Sequence, residues 1–245
     1  EEVALTYTIS DGTPLVGEDT LSGSITRVAG SDAGTYAITQ GTLANANYAI
    51  TFHNGTYTIT KANAKLNFAE DTKTLGYDGA VVTSNELSDV AVTNENDKAI
   101  NATVKYGYRV NGSTGVFTSG LPTNVGTYEV KAEIEGTTNY NAASDTMVLT
   151  IEKRELADCD ISDIEAVTYD GTAHKPAVTV KIGNVTLNAE DYTIDYSDNI
   201  NAGTATITIT GKNNCTGSVT KTFVINPKTV TPTIEIDKDS YDYTA

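Results

Sequence analysis

A short segment occurs three times in this chain and places the strongest limit on its fold. It reads AGTYAI at 33–38, VGTYEV at 125–130 and AGTATI at 202–207. An aromatic or cysteine residue preceded by asparagine follows each copy, and the residues concerned are Tyr48, Tyr140 and Cys215. Self-similarity at this spacing indicates an array of modules, each with its own small core.

A second marker, YDG, divides the chain further. It begins at Tyr77 and Tyr169, and YDYTA at 241–245 is a degenerate copy. The unequal spacing argues against a stacked solenoid, whose repeats must stay in register. We therefore predict a first module at 1–62, truncated at its N-terminus, a second at 63–153, a third at 154–227, and the first strand or strands of a fourth, truncated module at 228–245. The short linkers carry no Gly/Ser tract, so we expect them to be stiff.

Composition and periodicity predict an all-β chain. Tyr outnumbers Phe 14 to 4, and Thr, Val and Ile supply most of the strand-favouring surface. In GTATITITG the apolar residues alternate with threonines, and in DYTIDYSDN the alternation predicts that Asp191 and Asp195 face solvent. About seven strands in the third module match an immunoglobulin-like sandwich. We predict tandem immunoglobulin-like β-sandwich modules in an elongated array.

The first module contains a specific hairpin signal. Asn54-Gly55 is a favoured two-residue turn, and taking it as one pairs Phe52 with Tyr57 and Ile50 with Ile59. Both pairs fall on the apolar face, so the turn and the hydrophobic pattern predict the same register.

The charge of the chain excludes several partners. Its formal net charge is −16, and no basic stripe is present to neutralise nucleic-acid phosphates or to bind an anionic membrane. No stretch approaches the roughly 18 apolar residues of a membrane helix. We expect no nucleic acid and no membrane contact from this segment.

Catalytic and metal-binding patterns are weak. The two histidines, His53 and His174, are predicted to be surface turn residues, and no nucleophile or zinc motif occurs. Carboxylates recur on polar strand faces without a recognisable pocket, so we predict no enzyme activity and no cofactor. Calcium is a weaker alternative at EIDKDSYD, where the candidate ligands are Asp237, Asp239 and Asp242. Solvated acidic loops are the simpler interpretation.

Two segments resemble known bacterial repeats. GTYAITQGTLANANYAITFHNGTYTITKA at 34–62 resembles the MBG module, a mostly-β, glycine-rich repeat of bacterial surface proteins. The third module resembles immunoglobulin-like repeats of secreted proteins from Gram-positive gut bacteria, and the second matches less closely. The resemblance implies an extracellular location at the bacterial cell surface, and it implies no catalytic or cofactor residues.

The two cysteines, Cys159 and Cys215, both lie in the third module. In an immunoglobulin-like sandwich the start of the first strand and the last hairpin loop lie at the same end, and an exported chain permits disulfides. We predict a Cys159–Cys215 disulfide, with two separate thiols as the alternative. The closed loop would contribute roughly 4 kcal/mol by loss of chain entropy in the unfolded state.

These observations predict a non-catalytic stalk or spacer segment of a bacterial cell-surface adhesin, with neighbouring modules of the same chain as its partners. Two alternatives remain: direct binding of host glycans or matrix proteins, through the region 80–125, and a spacer within an extracellular polysaccharide-degrading enzyme. The residues expected to matter structurally, besides the cysteines, are Gly34, Gly126, Gly203, Tyr48, Tyr140, Tyr77 and Tyr169. If Gly203 needs a positive φ, its replacement by valine should destabilise the third module.

Overall fold

The computed structural model describes residues 4–235, 240 and 243. Within these residues the regular structure is β-strand, with three short three-ten turns at Ser84–Glu86, Leu156–Asp158 and Ala189–Asp191. The strands are β1 (Thr26–Arg27), β2 (Gly34–Thr39), β3 (Gly55–Ile59), β4 (Ala64–Phe68), β5 (Thr72–Gly76), β6 (Val90–Asn94), β7 (Lys105–Val110), β8 (Thr118–Ser119), β9 (Gly126–Ile134), β10 (Ala143–Glu152), β11 (Arg154–Glu155), β12 (Asp160–Ile161), β13 (Val167–Thr168), β14 (Val180–Ile182), β15 (Val185–Thr186), β16 (Tyr192–Ser197), β17 (Gly203–Gly211), β18 (Cys215–Thr216) and β19 (Ser218–Asn226). The predicted all-β class is confirmed.

The chain forms two compact units. Unit 1 comprises residues 1–71, 89–107 and 131–146, and unit 2 comprises 72–88, 108–130 and 147–245. Strands β7, β9 and β10 each contribute residues to both units. The module boundaries at 62, 153 and 227 remain predictions from the sequence.

Unit 1 contains two small antiparallel sheets. One has the order β1-β2-β3 and the other pairs β4 with β6. In the first sheet Tyr36 lies directly opposite Tyr57. The guanidinium of Arg27 stacks on both rings, at 5.1 Å and 4.9 Å from their centroids. A cation over aromatic faces of this kind supplies attraction where the sheet has little aliphatic core.

The predicted hairpin at Asn54-Gly55 is wrong. Strand β3 begins at Gly55, and its partner is β2, with Gly34 opposite Ile59 and Ile38 opposite Gly55. Residues 49–54 form no strand. The β2 pairing places Tyr36 and Tyr57 side by side under Arg27, a longer-range arrangement that the local turn signal does not contain.

The two larger sheets lie partly or wholly in unit 2, since β7, β9 and β10 also contribute residues to unit 1. Their orders are β5-β10-β9-β7-β8 and β13-β19-β17-β16, accompanied by β12-β14-β15 and by the parallel pair β11-β18. Alternate residues of the long strands are buried, as the period of two predicts. The third-module core has side chains at or below 2% exposure, namely Leu156, Val180, Ala205, Ile207, Ile209, Cys215, Phe223 and Ile225.

The repeated glycines begin equivalent strands. Gly34, Gly126 and Gly203 are the first residues of β2, β9 and β17. Strands β2 and β17 pair in an antiparallel sense with β3 and β19, and β9 lies beside β10. These partners are the last strands of the three predicted modules. The sequence interpretation of the repeat as the start of a penultimate core strand therefore agrees with the structure.

Replacing Gly203 by valine should lower the free energy of unfolding of unit 2 by about 1–3 kcal/mol. Gly203 has φ +142°, whereas nothing lies within 4 Å of a Cβ at this position, so the cost comes from the backbone and not from a clash. The matched control is Gly34→Val, since a Cβ at Gly34 first meets the Tyr36 ring at 4.0 Å and no left-handed φ is required. Equal urea denaturation midpoints for the two variants would contradict this explanation.

Candidate functional site

An asparagine joins the second and third predicted modules within unit 2. The side-chain oxygen of Asn214 accepts from the backbone N–H of Val125 at 2.9 Å. Its Nδ2 donates to the side-chain oxygen of Asn124 at 3.1 Å, and its backbone carbonyl accepts from the N–H of Arg154 at 3.0 Å. Arg154 is the linker residue, and it pairs in parallel with Cys215. We call this set, Asn124, Val125, Arg154 and Asn214, the second junction.

A buried carboxylate supports the second junction. Asp191 is 2% exposed, and its Oδ1 accepts from Nδ2 of Asn214 at 2.9 Å and from the Asn214 backbone N–H at 3.3 Å. Its Oδ2 accepts from the Tyr77 hydroxyl at 2.9 Å. Asp191 belongs to the third predicted module and Tyr77 to the second, so this carboxylate bonds both sides of the boundary. Buried hydrogen bonds to a carboxylate are among the stronger ones in proteins.

The first and second predicted modules meet in the same way within unit 1. Asn139 accepts from the Ala33 backbone N–H at 2.7 Å and donates to Asp32 Oδ1 at 2.8 Å. Its carbonyl accepts from the linker residue Ala62 at 2.9 Å, and Ala62 forms a parallel bridge with Tyr140. We call the residues Asp32, Ala33, Ala62 and Asn139 the first junction. Its hydrogen bonds repeat those of the second junction atom for atom.

The receiving loop has the same internal support in both junctions. The tyrosine of the GTY motif donates its hydroxyl to the carbonyl of the residue four positions earlier. Tyr36 bonds Asp32 O at 2.7 Å, and Tyr128 bonds Asn124 O at 2.8 Å. This tether holds the loop so that the next N–H along the chain points to the incoming asparagine. The repeated motif therefore provides a strand start and a docking loop together.

Burial changes the acidity of the groups around the second junction. Burial first, and then the hydrogen bond to Asp191, raise the pKa of Tyr77 far above its ordinary value, so its hydroxyl stays a donor. Burial also raises the pKa of the Cys215 thiol to about 11, with the nearby Asp191 charge acting in the same direction. Both groups are neutral at physiological pH.

The structure separates the predicted tyrosines by role. Tyr77 is 1% exposed and bonds Asp191, whereas Tyr169, its sequence equivalent, is 36% exposed. The Tyr48 hydroxyl donates to Asp19 Oδ2 at 2.7 Å within the first module. Tyr140 is half-buried beside Ala62 in the first junction. The two tyrosines of each pair therefore share a sequence pattern but not an environment.

The remaining candidate residues that the structure describes form no combined site. His53 is exposed, and His174 is 15% exposed at its side chain, with Nε2 at 3.3 Å from Asp170 Oδ1. Among the described residues no group of three or more His, Cys, Asp or Glu side chains is placed to hold a metal ion. The weak calcium candidates Asp237, Asp239 and Asp242 lie outside the described residues.

Both cysteines are free thiols in this structure, and their pairing as a disulfide stays a prediction. Cys215 is buried in β18, and Cys159 follows the three-ten turn that precedes β12. The Arg154 side chain interacts with the Cys159 sulfur. Arg154 also pairs with Cys215 through its backbone, so both cysteines flank the linker of the second junction.

We expect treatment with a thiol oxidant to join Cys159 and Cys215 within one chain. The product should weigh two hydrogens less than the reduced chain and should contain one peptide linking the two cysteines after proteolysis. Without oxidant, Cys215 should react with iodoacetamide far more slowly than Cys159, because Cys215 is buried and its pKa is about 11. Only dimers linked between chains, with no internal product, would contradict the predicted pairing.

Sequence reasoning identified part of this site. The asparagines 139 and 214 were visible as a repeated residue, but their partners were not. Asp191 was predicted to face solvent, and that prediction is wrong because Asp191 ends a three-ten turn and lies outside the strand alternation that begins at Tyr192. Asp195, within the strand, is exposed as predicted.

The chain is all-β. At two predicted module boundaries its repeated segments are joined by hydrogen bonds of the same geometry. Residues 1–58 match the MBG domain of the YGX type, so the predicted resemblance to that module is confirmed for the N-terminal segment. No curated protein matches the sequence. No helix among the described residues is long and apolar enough to cross a bilayer.

Several solved cadherin structures are similar to this chain at low scores. Human protocadherin-24 EC1-2 is 11% identical, covers 69% of this chain and 100% of its own, and has a TM-score of 0.25. Drosophila N-cadherin EC1-3 is 12% identical, covers 79% and 76%, and has a TM-score of 0.22. Protocadherin gammaB7 EC3-6 is 11% identical, covers 85% and 65%, and has a TM-score of 0.22. We draw no functional argument from them.

Proposed function

We propose that this chain is a structural spacer of an extracellular bacterial surface protein, and that its task is to hold consecutive modules in fixed contact. The observation that carries the proposal is the repeated junction. An asparagine makes the same three bonds at two predicted module boundaries, two through its carboxamide and one through its backbone carbonyl, with Ala33 and Val125 as equivalent donors to the carboxamide oxygen. Chemistry that recurs at boundaries, and not in a pocket, favours a mechanical role over recognition.

The N-terminal match and the charge support the surface location. MBG modules occur in surface proteins, and residues 1–58 match one. A net charge of −16 keeps an exposed chain soluble and discourages self-association. A Gram-positive host and an adhesin as the parent protein are the more specific form of this proposal.

Direct recognition of a glycan or matrix protein is the second candidate. The region 80–125 was predicted to contain a ligand-binding loop. The region contains β6, β7, β8 and a three-ten turn, and Arg109 stacks on Phe117 at 4.4 Å from the ring centroid. Val116, in the same segment, is 92% exposed. This exposed apolar side chain is the observation that favours ligand recognition.

Two measurements on the intact chain test the spacer function. The first is trypsin digestion, since the linkers carry cleavage sites at Lys61, Lys153 and Arg154. If the junctions hold in solution, these bonds should be cleaved more slowly than the bond at Lys228, which is exposed and follows the last strand, β19. Rapid cleavage at the linkers would contradict the mechanical role.

The second measurement is binding to a glycan array and to a panel of matrix proteins, with and without calcium. We expect no saturable binding. A specific signal lost on replacing Val116 by serine would assign the chain to the recognition class. The Val110→Ser variant is the control, because Val110 is also exposed, at 63%, and lies in β7.

A further inference from the structure

The third predicted module carries a third copy of the junction surface, and no module among the residues that the structure describes covers it. The copy consists of Tyr169, Asn201, Ala202 and Lys228, which we call the third junction surface. Asn201, Ala202 and Lys228 occupy the sequence positions of Asn124, Val125 and Arg154 of the second junction, and Tyr169 occupies that of Tyr77, which bonds the supporting Asp191. All four are exposed.

The YDG turns give the clearest comparison between a covered and an uncovered copy. Both turns have the same backbone: Gly79 has φ +80° and Gly171 has φ +85°. In both, the aspartate side chain accepts from the N–H two residues later, at 2.9 Å in Asp78 and 2.8 Å in Asp170. The tyrosine N–H of each turn also bonds the last strand, Tyr77 to Glu152 O and Tyr169 to Asn226 O, both at 2.9 Å.

The surroundings of these two turns differ completely. A Cβ added at Gly79 would meet Val185 at 3.0 Å and Leu187 at 3.4 Å, both from the third module. Among the described residues, a Cβ at Gly171 would meet only the hydroxyl of Tyr169, at 4.0 Å. One turn is covered by a following module, and the identical turn in that module is open.

The receiving loop is also formed and open. Ala202 has a backbone N–H at the position where Ala33 and Val125 bond an asparagine, and Asn201 offers a carboxamide oxygen as Asn124 does. The tethering tyrosine is replaced here by Ala205. A different pair secures the third loop: Asn199 donates to His174 O at 2.7 Å, and the His174 N–H donates to Asn199 O at 2.8 Å.

The linker spacing completes the match. Arg154 lies three residues after Ile151, Ala62 three after Ile59, and Lys228 three after Ile225. The N–H groups of Ala62 and Arg154 bond the carbonyl of the docking asparagine. Lys228 retains this N–H, because the proline of the third linker is the residue before it.

We propose that the third junction surface binds a following module of the same kind, contributed by the same chain. The partner carries an asparagine in the turn before its last strand and a buried aspartate at the end of a three-ten turn. The asparagine bonds Ala202 N–H, Asn201 and Lys228 N–H, and the aspartate accepts from the Tyr169 hydroxyl. The proposal does not rest on the spacer function. A chain that recognises a ligand could be extended by a further module through the same contact.

An extended chain tests the proposal. Residues 155–227 are repeated after Lys228 in place of 229–245, so that the added module follows Lys228 as the third follows Arg154. Hydrogen exchange of the Ala202 amide is compared between this chain and the 245-residue chain. The bond expected to protect it is the one that Ala33 and Val125 donate to an asparagine side-chain oxygen. We expect exchange at Ala202 to slow by about tenfold or more, as one added hydrogen bond predicts.

A matched variant assigns the effect to the asparagine. Replacing the added copy of Asn214 by alanine should return the Ala202 amide to its original rate and leave the Val125 amide protected. Protection of the added copy of Ile207 reports that the added module is folded. An unchanged Ala202 rate beside a folded added module would overturn the proposal.

A second extended chain guards against a misfolded addition. Here residues 63–153 follow Lys228, since this module supplies Asn139 and follows Ala62 in its natural place. This second chain decides the test when the addition in the first chain does not fold. Protection of Ala202 that is lost on removing the docking asparagine then supports the proposal, and a folded addition without protection of Ala202 contradicts it.

Discussion

Replacing Asp191 by alanine should lower the free energy of unfolding of unit 2 by about 3 kcal/mol, the largest single effect that we expect outside the hydrophobic core. The carboxylate is 2% exposed and accepts from the Tyr77 hydroxyl and from two groups of Asn214. Alanine leaves the buried Tyr77 hydroxyl without this acceptor and removes two bonds of the half-buried Asn214, which together cost more than the loss of an average hydrogen bond. Urea denaturation followed by near-ultraviolet circular dichroism measures the change.

Asp195→Ala is the control for this variant. Asp195 lies four residues later in β16 and is exposed, so its removal should change stability by no more than about 0.5 kcal/mol. Tyr77→Phe should account for part of the Asp191 effect, and combining the two changes should cost less than their sum, because they remove the same bond. Strict additivity of the two variants would show that the bond between them contributes nothing.

Replacing Asn214 by alanine should lower the free energy of unfolding of unit 2 by about 2 kcal/mol. Its largest local effect should be on the backbone amide of Val125. The side chain bonds Val125 N–H, Asn124 and Asp191, so its loss releases the receiving loop and leaves Asp191 with fewer donors. Hydrogen exchange at Val125 should accelerate by about tenfold or more. The Ala33 amide, which is bonded to Asn139 in unit 1, provides a reference within the same molecule.

Asn47→Ala is the matched control for the asparagine. Asn47 occupies the same position of the repeat in the first module, but its side chain is exposed and bonds none of the residues that the structure describes. Its replacement should therefore be nearly neutral, whereas Asn139→Ala should release the Ala33 amide as Asn214→Ala releases Val125. Similar losses of stability from Asn47→Ala and Asn214→Ala would mean that the asparagine acts within its own module.

The tertiary contacts explain why the sequence shows the repeated asparagines but does not show what they bond. A repeated Asn before Tyr48, Tyr140 and Cys215 is visible in the sequence. Its partner is 106 residues earlier in the first junction and 89 residues earlier in the second. Nothing in a single sequence identifies a pairing over that distance, and a surface turn is the ordinary environment of asparagine.

Local patterns determined the strand class, the repeat and the glycine-initiated strands of this protein, because alternation and backbone freedom act between near neighbours. They failed where distant segments compete. Strand β3 pairs with β2 and not across the Asn54-Gly55 turn that the local signal predicted. Asp191 is buried and not exposed, because it bonds Tyr77 and Asn214. Only the tertiary structure decided these cases, since burial and hydrogen bonding to a neighbouring module outweigh the preferences of a few adjacent residues.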